Sequence, residues 1–168
     1  MAEEVIKNTD NTQNVQTGTE SGFSFLGGMY KCQLDEKNRI RIPFQLKKFL
    51  GNSPVITVDI GFLKIMSGDK MEKYLDKLSL IPLDDEQGQI WRNYICTNSK
   101  PLLEDKQGRI TLSDDQLSIA GISGKTVVFV GDIECIKLYN EQEWENIKAS
   151  FATLNKNNRL MLNTKYGI

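Results

Sequence analysis

Two related stretches of 17 residues occur in this chain of 168 residues, and this repeat constrains the fold more than any other feature. The first copy, DEKNRIRIPFQLKKFLG, begins at Asp35, and the second, DKQGRITLSDDQLSIAG, begins 70 positions later at Asp105. Arg39 then matches Arg109. Self-similarity at a fixed period indicates copies of one supersecondary unit. We therefore predict a tandem of two related units.

Each copy has the pattern of short β-strands. Residues 29–34 and 39–42 have β-type composition and flank the polar tetrad of residues 35–38, which predicts a hairpin with a tight turn. Further along, the apolar stretch 54–66 parallels the stretch 126–139. These segments predict that strands dominate both units.

Short helices complete the pattern. A helix is expected after Pro43, which a first helical turn tolerates, and it should stop near Gly51. The second copy has Ser113 as its N-cap and Gly121 as its stop. Longer helices are predicted over residues 69–78, 84–97 and 141–151 from their apolar spacing.

The pattern divides the chain into five segments. Residues 1–27 carry a net charge of −3 and almost no apolar periodicity, so we expect a disordered acidic tail. With a formal net charge of −1 for the whole chain, +2 remains for residues 28–168. We predict a first unit over 28–80, a linking helical segment over 81–99, a second unit over 100–152, and a frayed C-terminal tail over 153–168.

Composition excludes several classes of function. The chain has no histidine, which rules out Ser-His-Asp, Cys-His and HExxH chemistry. Its three cysteines, Cys32, Cys96 and Cys135, are too far apart for a metal clip. No apolar run approaches the ~20 residues of a membrane span, and no signal peptide is recognisable. We expect a cytoplasmic protein that is not an enzyme, with no cofactor, no metal, no small-molecule substrate and no membrane partner.

The repeated DxxxR motif is the strongest candidate for a functional element. It occurs as Asp35 to Arg39 and as Asp105 to Arg109, with a turn between carboxylate and guanidinium. In a structural interpretation, the two groups form a bidentate pair that orders the loop. In a functional interpretation, the projecting turns offer cations to a polyanion such as DNA. The cations concerned are Lys37, Arg39, Arg41, Lys106 and Arg109.

The first copy resembles the DNA-binding unit of the AbrB-like swapped-hairpin regulators, through its Asp, turn, Arg, apolar pair, Pro and Leu-basic-basic-x-Leu-Gly helix. From about residue 27 through 151 the chain is similar to the MraZ family. The resemblance is carried by GGMYKCQLDEKNRIRIP, WRNYICTN, LEDKQGRITL, VVFVG and IKLYNEQEWE.

This resemblance implies an α+β fold, mostly β with short helices, in which two AbrB-like units form a double-psi-like swapped-hairpin barrel, a pseudo-dimer. It also implies a ring-like homo-oligomer that binds direct repeats in promoter DNA at the nucleoid, and a repressor of the division and cell-wall gene cluster. The DNA-binding residues would be Lys37, Arg39, Arg41, Lys47, Lys48, Lys106 and Arg109, with Asp35 and Asp105 ordering the loops.

The second copy departs from the first. Ser113 replaces Pro43, and Ser118 and Ile119 stand near the positions of the basic pair. These differences set the second unit apart from the first. An alternative function for the chain, from a different class, is an AbrB-like antitoxin-type module that holds a partner protein and binds DNA secondarily.

Two other motifs favour structural roles. The segment 121–126 approaches a phosphate loop, but Ile119 occupies a required glycine position. Trp91 and Trp144 lie at helical spacing with other apolar residues, so we expect packing rather than base stacking.

Overall fold

The computed structural model of the chain describes residues 25–168, so the tail predicted over residues 1–27 lies outside the described residues except for its last three. The strands are β1 (Met29–Gln33), β2 (Arg39–Arg41), β3 (Val55–Asp59), β4 (Phe62–Met66), β5 (Lys100–Pro101), β6 (Arg109–Thr111), β7 (Thr126–Asp132) and β8 (Cys135–Asn140). The α-helices are α1 (Phe44–Lys47), α2 (Gly68–Ser79), α3 (Glu86–Asn98), α4 (Asp114–Ile119), α5 (Glu141–Ser150) and α6 (Lys156–Tyr166), with a 3-10 turn over Phe151–Thr153.

The strands form two antiparallel sheets. The larger sheet has the order β1-β7-β8-β4-β3-β5, and the smaller one pairs β2 with β6. Exchanging the two units maps β1 onto β5, β7 onto β3 and β8 onto β4, so both sheets obey an approximate two-fold symmetry. At the symmetry axis, Lys64 lies opposite Lys137 in the larger sheet, and Ile40 lies opposite Ile110 in the smaller one.

The predicted local hairpin of residues 29–34 and 39–42 is wrong in its pairing, although its turn forms. The backbone N–H of Asp35 donates to the carbonyl of Arg39 at 2.9 Å, but β1 pairs with β7 and β2 pairs with β6. Each strand therefore finds its partner in the other unit, where Ile40 can be buried against Ile110. The interleaving implied by the resemblance is present.

The α+β class is confirmed, but the sheets do not close into the barrel that the resemblance implies. The larger sheet is open and ends at β1 on one side and at β5 on the other. Strand β5 pairs with β3 at two positions, with Pro101 opposite Val55 and Lys100 opposite Ile56. Because Pro101 has no N–H to donate, it suits the edge of a sheet and not a continued ladder.

One hydrophobic core joins the two sheets. It contains the fully buried side chains of Leu46, Leu63 and Phe129 together with Ile40 and Ile110. The opposite face of the larger sheet is covered as well, because Val128 packs there with Tyr139 and Trp144. Adjacent strand residues point to opposite faces, which explains why β7 is apolar along most of its length. Trp144 has the structural role predicted for it, and Trp91 packs against the main core.

The helix boundaries agree with the capping residues. Ser113 and Gln116 form a reciprocal capping box at α4. Asp85 caps α3, whose range is close to the predicted 84–97. Gly51 and Gly121 have φ values of +58° and +61° and follow the short helices of their units, because a positive φ favours glycine.

Both ends of the described part contain structure outside the predicted units. Leu26 lies in the predicted N-terminal tail, yet it is only 7% exposed, and its carbonyl accepts the N–H of Ile133 at 3.1 Å. The predicted C-terminal tail, residues 153–168, contains α6, which has Asn155 as its N-cap, Gly167 at its end and no buried residue. Along residues 25–168, no helix has the length and apolar character needed to cross a bilayer.

We predict that Gly131→Ala destabilises the fold by about 1–3 kcal/mol, because overpacking forces backbone shifts. A Cβ at Gly131 would lie 2.7 Å from the backbone of Gly27, so the segment that carries Leu26 would be displaced. Urea unfolding measures the change. The matched control is Gly124→Ala, whose Cβ meets nothing within 4 Å, and equal stability of the two variants would contradict the prediction.

Candidate nucleic-acid interface

The first DxxxR motif forms a turn that its own carboxylate holds together. Asp35 Oδ1 accepts the backbone N–H groups of Lys37 and Arg39, both at 2.9 Å. Asp35 Oδ2 accepts Arg39 Nε at 2.7 Å and lies 2.6 Å from Arg39 Nη2. The ion pair of the structural interpretation is therefore present, but it is not bidentate: both guanidinium nitrogens contact the one oxygen Oδ2, while Oδ1 binds the backbone of the turn.

The second motif repeats this geometry. Asp105 Oδ1 accepts the N–H groups of Gln107 at 2.8 Å and Arg109 at 3.0 Å, and its Oδ2 binds Arg109 Nε at 2.8 Å and Nη2 at 2.7 Å. The residue before each arginine has a positive φ, +56° at Asn38 and +71° at Gly108. Asn and Gly are the residues that tolerate this region best.

The ion pairs shift the pKa values of the turn carboxylates. The hydrogen bond from Arg39 holds the pKa of Asp35 well below its usual range. The corresponding bond from Arg109 lowers the pKa of Asp105 to about 2, and the contact with Asp35 raises the pKa of Arg39. All these groups therefore stay charged near neutral pH.

The two turns also contact each other. Arg109 Nη1 lies 3.5 Å from Asp35 Oδ2, so Asp35, Arg39, Asp105 and Arg109 form one cluster of alternating charge. We call it the Asp-Arg cluster. It has no net charge, and it ties the turn of one unit to that of the other.

The paired strands β2 and β6 present their arginines on one side. Ile40 and Ile110 are 2% and 1% exposed and point into the core. Because alternate strand residues face opposite ways, the residues on either side of them share the other surface. We call this surface the ladder face, and it comprises Arg39, Arg41, Arg109 and Thr111.

The predicted cations differ in how free their charges are. Arg39 and Arg109 belong to the Asp-Arg cluster, and Lys47 pairs with Glu104 at 2.6 Å. Lys48 is exposed, with its Nζ 5.2 Å from the centre of the Phe49 ring. Among these predicted DNA-binding cations, four are exposed and join no ion pair within residues 25–168: Lys37, Arg41, Lys48 and Lys106.

The two units differ in charge beside the ladder face. In the first unit, Lys47 and Lys48 lie at the end of the short helix α1. In the second, Asp114 and Asp115 occupy the first turn of α4. The side-chain amide of Asn38 donates to Asp114 Oδ1 at 3.0 Å. The basic character of this surface is therefore concentrated in the first unit.

Sequence reasoning missed two carboxylates that modify this surface. Glu104 binds Lys47, 57 positions away along the chain, and Glu36 binds Lys125, 89 positions away. Glu36 lies within the first turn and Glu104 directly precedes the second, but nothing in the sequence indicates their lysine partners, since only the folded chain brings these groups together. Within residues 25–168, no group of three or more cysteine or carboxylate side chains is placed to hold a metal ion.

Two interleaved units, each with a turn held by an Asp-Arg pair, define the AbrB-like class of swapped-hairpin proteins. A family model described as "MraZ protein, putative antitoxin-like" matches residues 102–166. Proteins named "Transcriptional regulator MraZ" are similar over most of the chain. The protein of Lachnoclostridium phytofermentans is 30% identical over 71% of this chain and 84% of its own length. That of Clostridium beijerinckii is 30% identical over 73% and 87%. The chain belongs to the MraZ family.

We predict that acid weakens the fold through the Asp-Arg cluster. Because the pKa of Asp105 is depressed from about 3.9 to about 2, its ionised form stabilises the fold above about pH 4. That stabilisation is lost as the pH falls toward 2. Asp105→Asn should therefore melt lower than the unaltered protein at pH 7, with a smaller gap at pH 3.

Thermal melts at pH 7, 4 and 3 measure this convergence. The control is Asp76→Asn, which changes an exposed carboxylate on α2 that joins no ion pair within residues 25–168. A constant gap between Asp105→Asn and the unaltered protein from pH 7 to pH 3 would refute the linkage.

Proposed function

We propose that this protein is a sequence-specific DNA-binding transcriptional regulator that contacts double-stranded promoter DNA through the ladder face and its two turns. The observation that carries the proposal is the rigid presentation of Lys37, Arg41 and Lys106 around the Asp-Arg cluster. Membership of a family whose curated relatives are named transcriptional regulators supports it.

The geometry favours different roles for the predicted cations. Arg41 lies exposed on the ladder face and joins no ion pair within the described range, so it is free to reach base edges or phosphates. Lys37 and Lys106 extend from the turns, and Lys48 is placed for phosphate contact. Arg39 and Arg109 act mainly as positioning residues, because Asp35 and Asp105 already occupy their guanidinium groups.

A single chain offers few free cations, so one copy should bind DNA weakly. A homo-oligomer presents several ladder faces at once, which turns each later contact into an intramolecular one. We propose a ring-like homo-oligomer that engages direct repeats in a promoter at the nucleoid. The family resemblance supports a repressor of the division and cell-wall gene cluster.

The second candidate is the antitoxin-type module that binds a partner protein and touches DNA secondarily. Two observations favour it: the matching family model is described as antitoxin-like, and carboxylates offset Arg39, Arg109 and Lys47. A protein that binds promoter and unrelated DNA equally weakly, yet retains a stoichiometric protein partner on purification, would favour this function.

We predict that Arg41→Ala and Arg39→Ala have separable effects. Arg41→Ala should lower affinity for the DNA upstream of its own gene severalfold and reduce the salt slope by about 0.9 for each phosphate that the protein no longer neutralises. Its melting temperature should not change. Arg39→Ala should lower both affinity and melting temperature, because the Asp35 turn loses its partner.

Gel shifts over a salt series, paired with thermal melts, measure both effects. Lys77→Ala is the control, because it removes an exposed cation from α2 and not from the ladder face. If Arg41→Ala binds the promoter as tightly as the unaltered protein, the assignment of Arg41 is wrong.

We predict that a promoter duplex with two direct repeats binds at least tenfold more tightly than a duplex of equal length with one repeat scrambled, because the second contact is intramolecular. Titration by fluorescence anisotropy at fixed salt measures the ratio. Insertion of half a helical turn between the repeats is the control and should reduce the gain. Equal affinity for one and two repeats would exclude binding through several copies.

A further inference from the structure

Phe44 is a large apolar side chain that the fold leaves in solvent beside the ladder face. It is the first residue of α1 and is 77% exposed. Isolated exposed apolar residues are common and need no explanation on their own. Its neighbours distinguish this one: exposed Arg41 precedes it by three residues, and Lys47 and Lys48 follow it by three and four.

The backbone that carries Phe44 is firmly held. Leu46 is completely buried in the core, and the N–H groups of Leu46 and Lys47 both donate to the carbonyl of Pro43 at 2.9 Å. Two residues along a helix correspond to a rotation of about 200°, so burial of Leu46 directs Phe44 away from the protein. The backbone that carries the Phe44 ring is thus fixed by the core and by these hydrogen bonds.

Phe44 borders an open cavity of about 570 Å³ that the two units share. Arg41 and Lys47 line it from the first unit, and Gln107 and Gly108 line it from the turn of the second. Arg41 supplies the unpaired positive charge on this wall, since Lys47 is paired with Glu104. A free guanidinium beside an aromatic ring suits a sugar-phosphate backbone with its bases nearby. The charge therefore favours a polyanion as occupant.

The second unit lacks this arrangement. At the positions displaced by 70 from Arg41 and Phe44, the chain has Thr111 and Asp114. The Asp114 carboxylate accepts a hydrogen bond from Asn38 and would repel a phosphate. The fold is nearly symmetric, but only the first unit offers a ring and cations together.

We propose that Phe44 acts as a wedge that inserts at a base step of bound duplex DNA and bends the duplex. This inference rests on the proposed DNA-binding function. Apolar wedges such as Phe partly unstack a base step and kink the helix. The unstacking cost is smallest at flexible pyrimidine–purine steps such as TA and CA, so Phe44 gives sequence preference without a hydrogen bond to a base.

The test compares Phe44→Ala with Phe44→Leu in the full-length protein. The probe is a duplex of the promoter upstream of its own gene, labelled at both ends for energy transfer, and affinity is measured over a salt series. Phe44→Ala should abolish the bend and lower affinity about tenfold or more. Its salt slope should not change, because no charge is removed. Phe44→Leu should keep most of the bend.

The control is Leu83→Ala, which removes another highly exposed apolar side chain away from this surface, and it should bind and bend DNA as the unaltered protein does. If Phe44→Ala also bends the duplex normally, the wedge is excluded while the proposed DNA binding stands. If the unaltered protein binds no duplex, the proposed function fails and the wedge fails with it. Loss of affinity with an unchanged bend would show a surface contact and overturn insertion.

Discussion

The burial of Ile40 against Ile110 across the approximate two-fold axis is the contact on which the functional surface depends. Each of these strands has three residues, too few to form a stable sheet alone. Pairing the two units lets both isoleucines leave water together and directs the flanking residues outward. The ladder face and the contact between the two turns follow from this one pairing.

The Asp-Arg cluster holds the two turns in place but adds no net charge to the surface. Four ionised groups around the two turns cancel one another, and their geometry, with backbone N–H groups on both carboxylates, holds the turns in place. An arginine bound in this way adds little net field to the surface. On the proposed function, the electrostatic attraction for a polyanion would come from side chains without carboxylate partners, such as Arg41 on β2 and Lys106 in the second turn.

The fold is symmetric, but its surface is not. The repeated turns superimpose in their hydrogen bonds, whereas the short helices beside them carry Lys47 and Lys48 in one unit and Asp114 and Asp115 in the other. A surface of this kind has a basic and an acidic end. On the proposed function, such a surface would bind DNA in a single orientation, which would suit direct repeats, because direct repeats, unlike palindromes, have a direction.

The local structure could be predicted from the order of the residues alone: the two turns, their Asp-Arg pairs, the caps at Ser113 and Gly51, and the helices α2, α3 and α5. These features depend on residues within about five positions of one another, so a short segment of the sequence is enough to predict each of them. Four features could be seen only in the folded chain: β1 and β2 pair across the units, the larger sheet stays open, Leu26 joins the core, and Glu104 binds Lys47. Such contacts join residues tens of positions apart, and which of them form depends on the apolar surface that the whole chain can bury together.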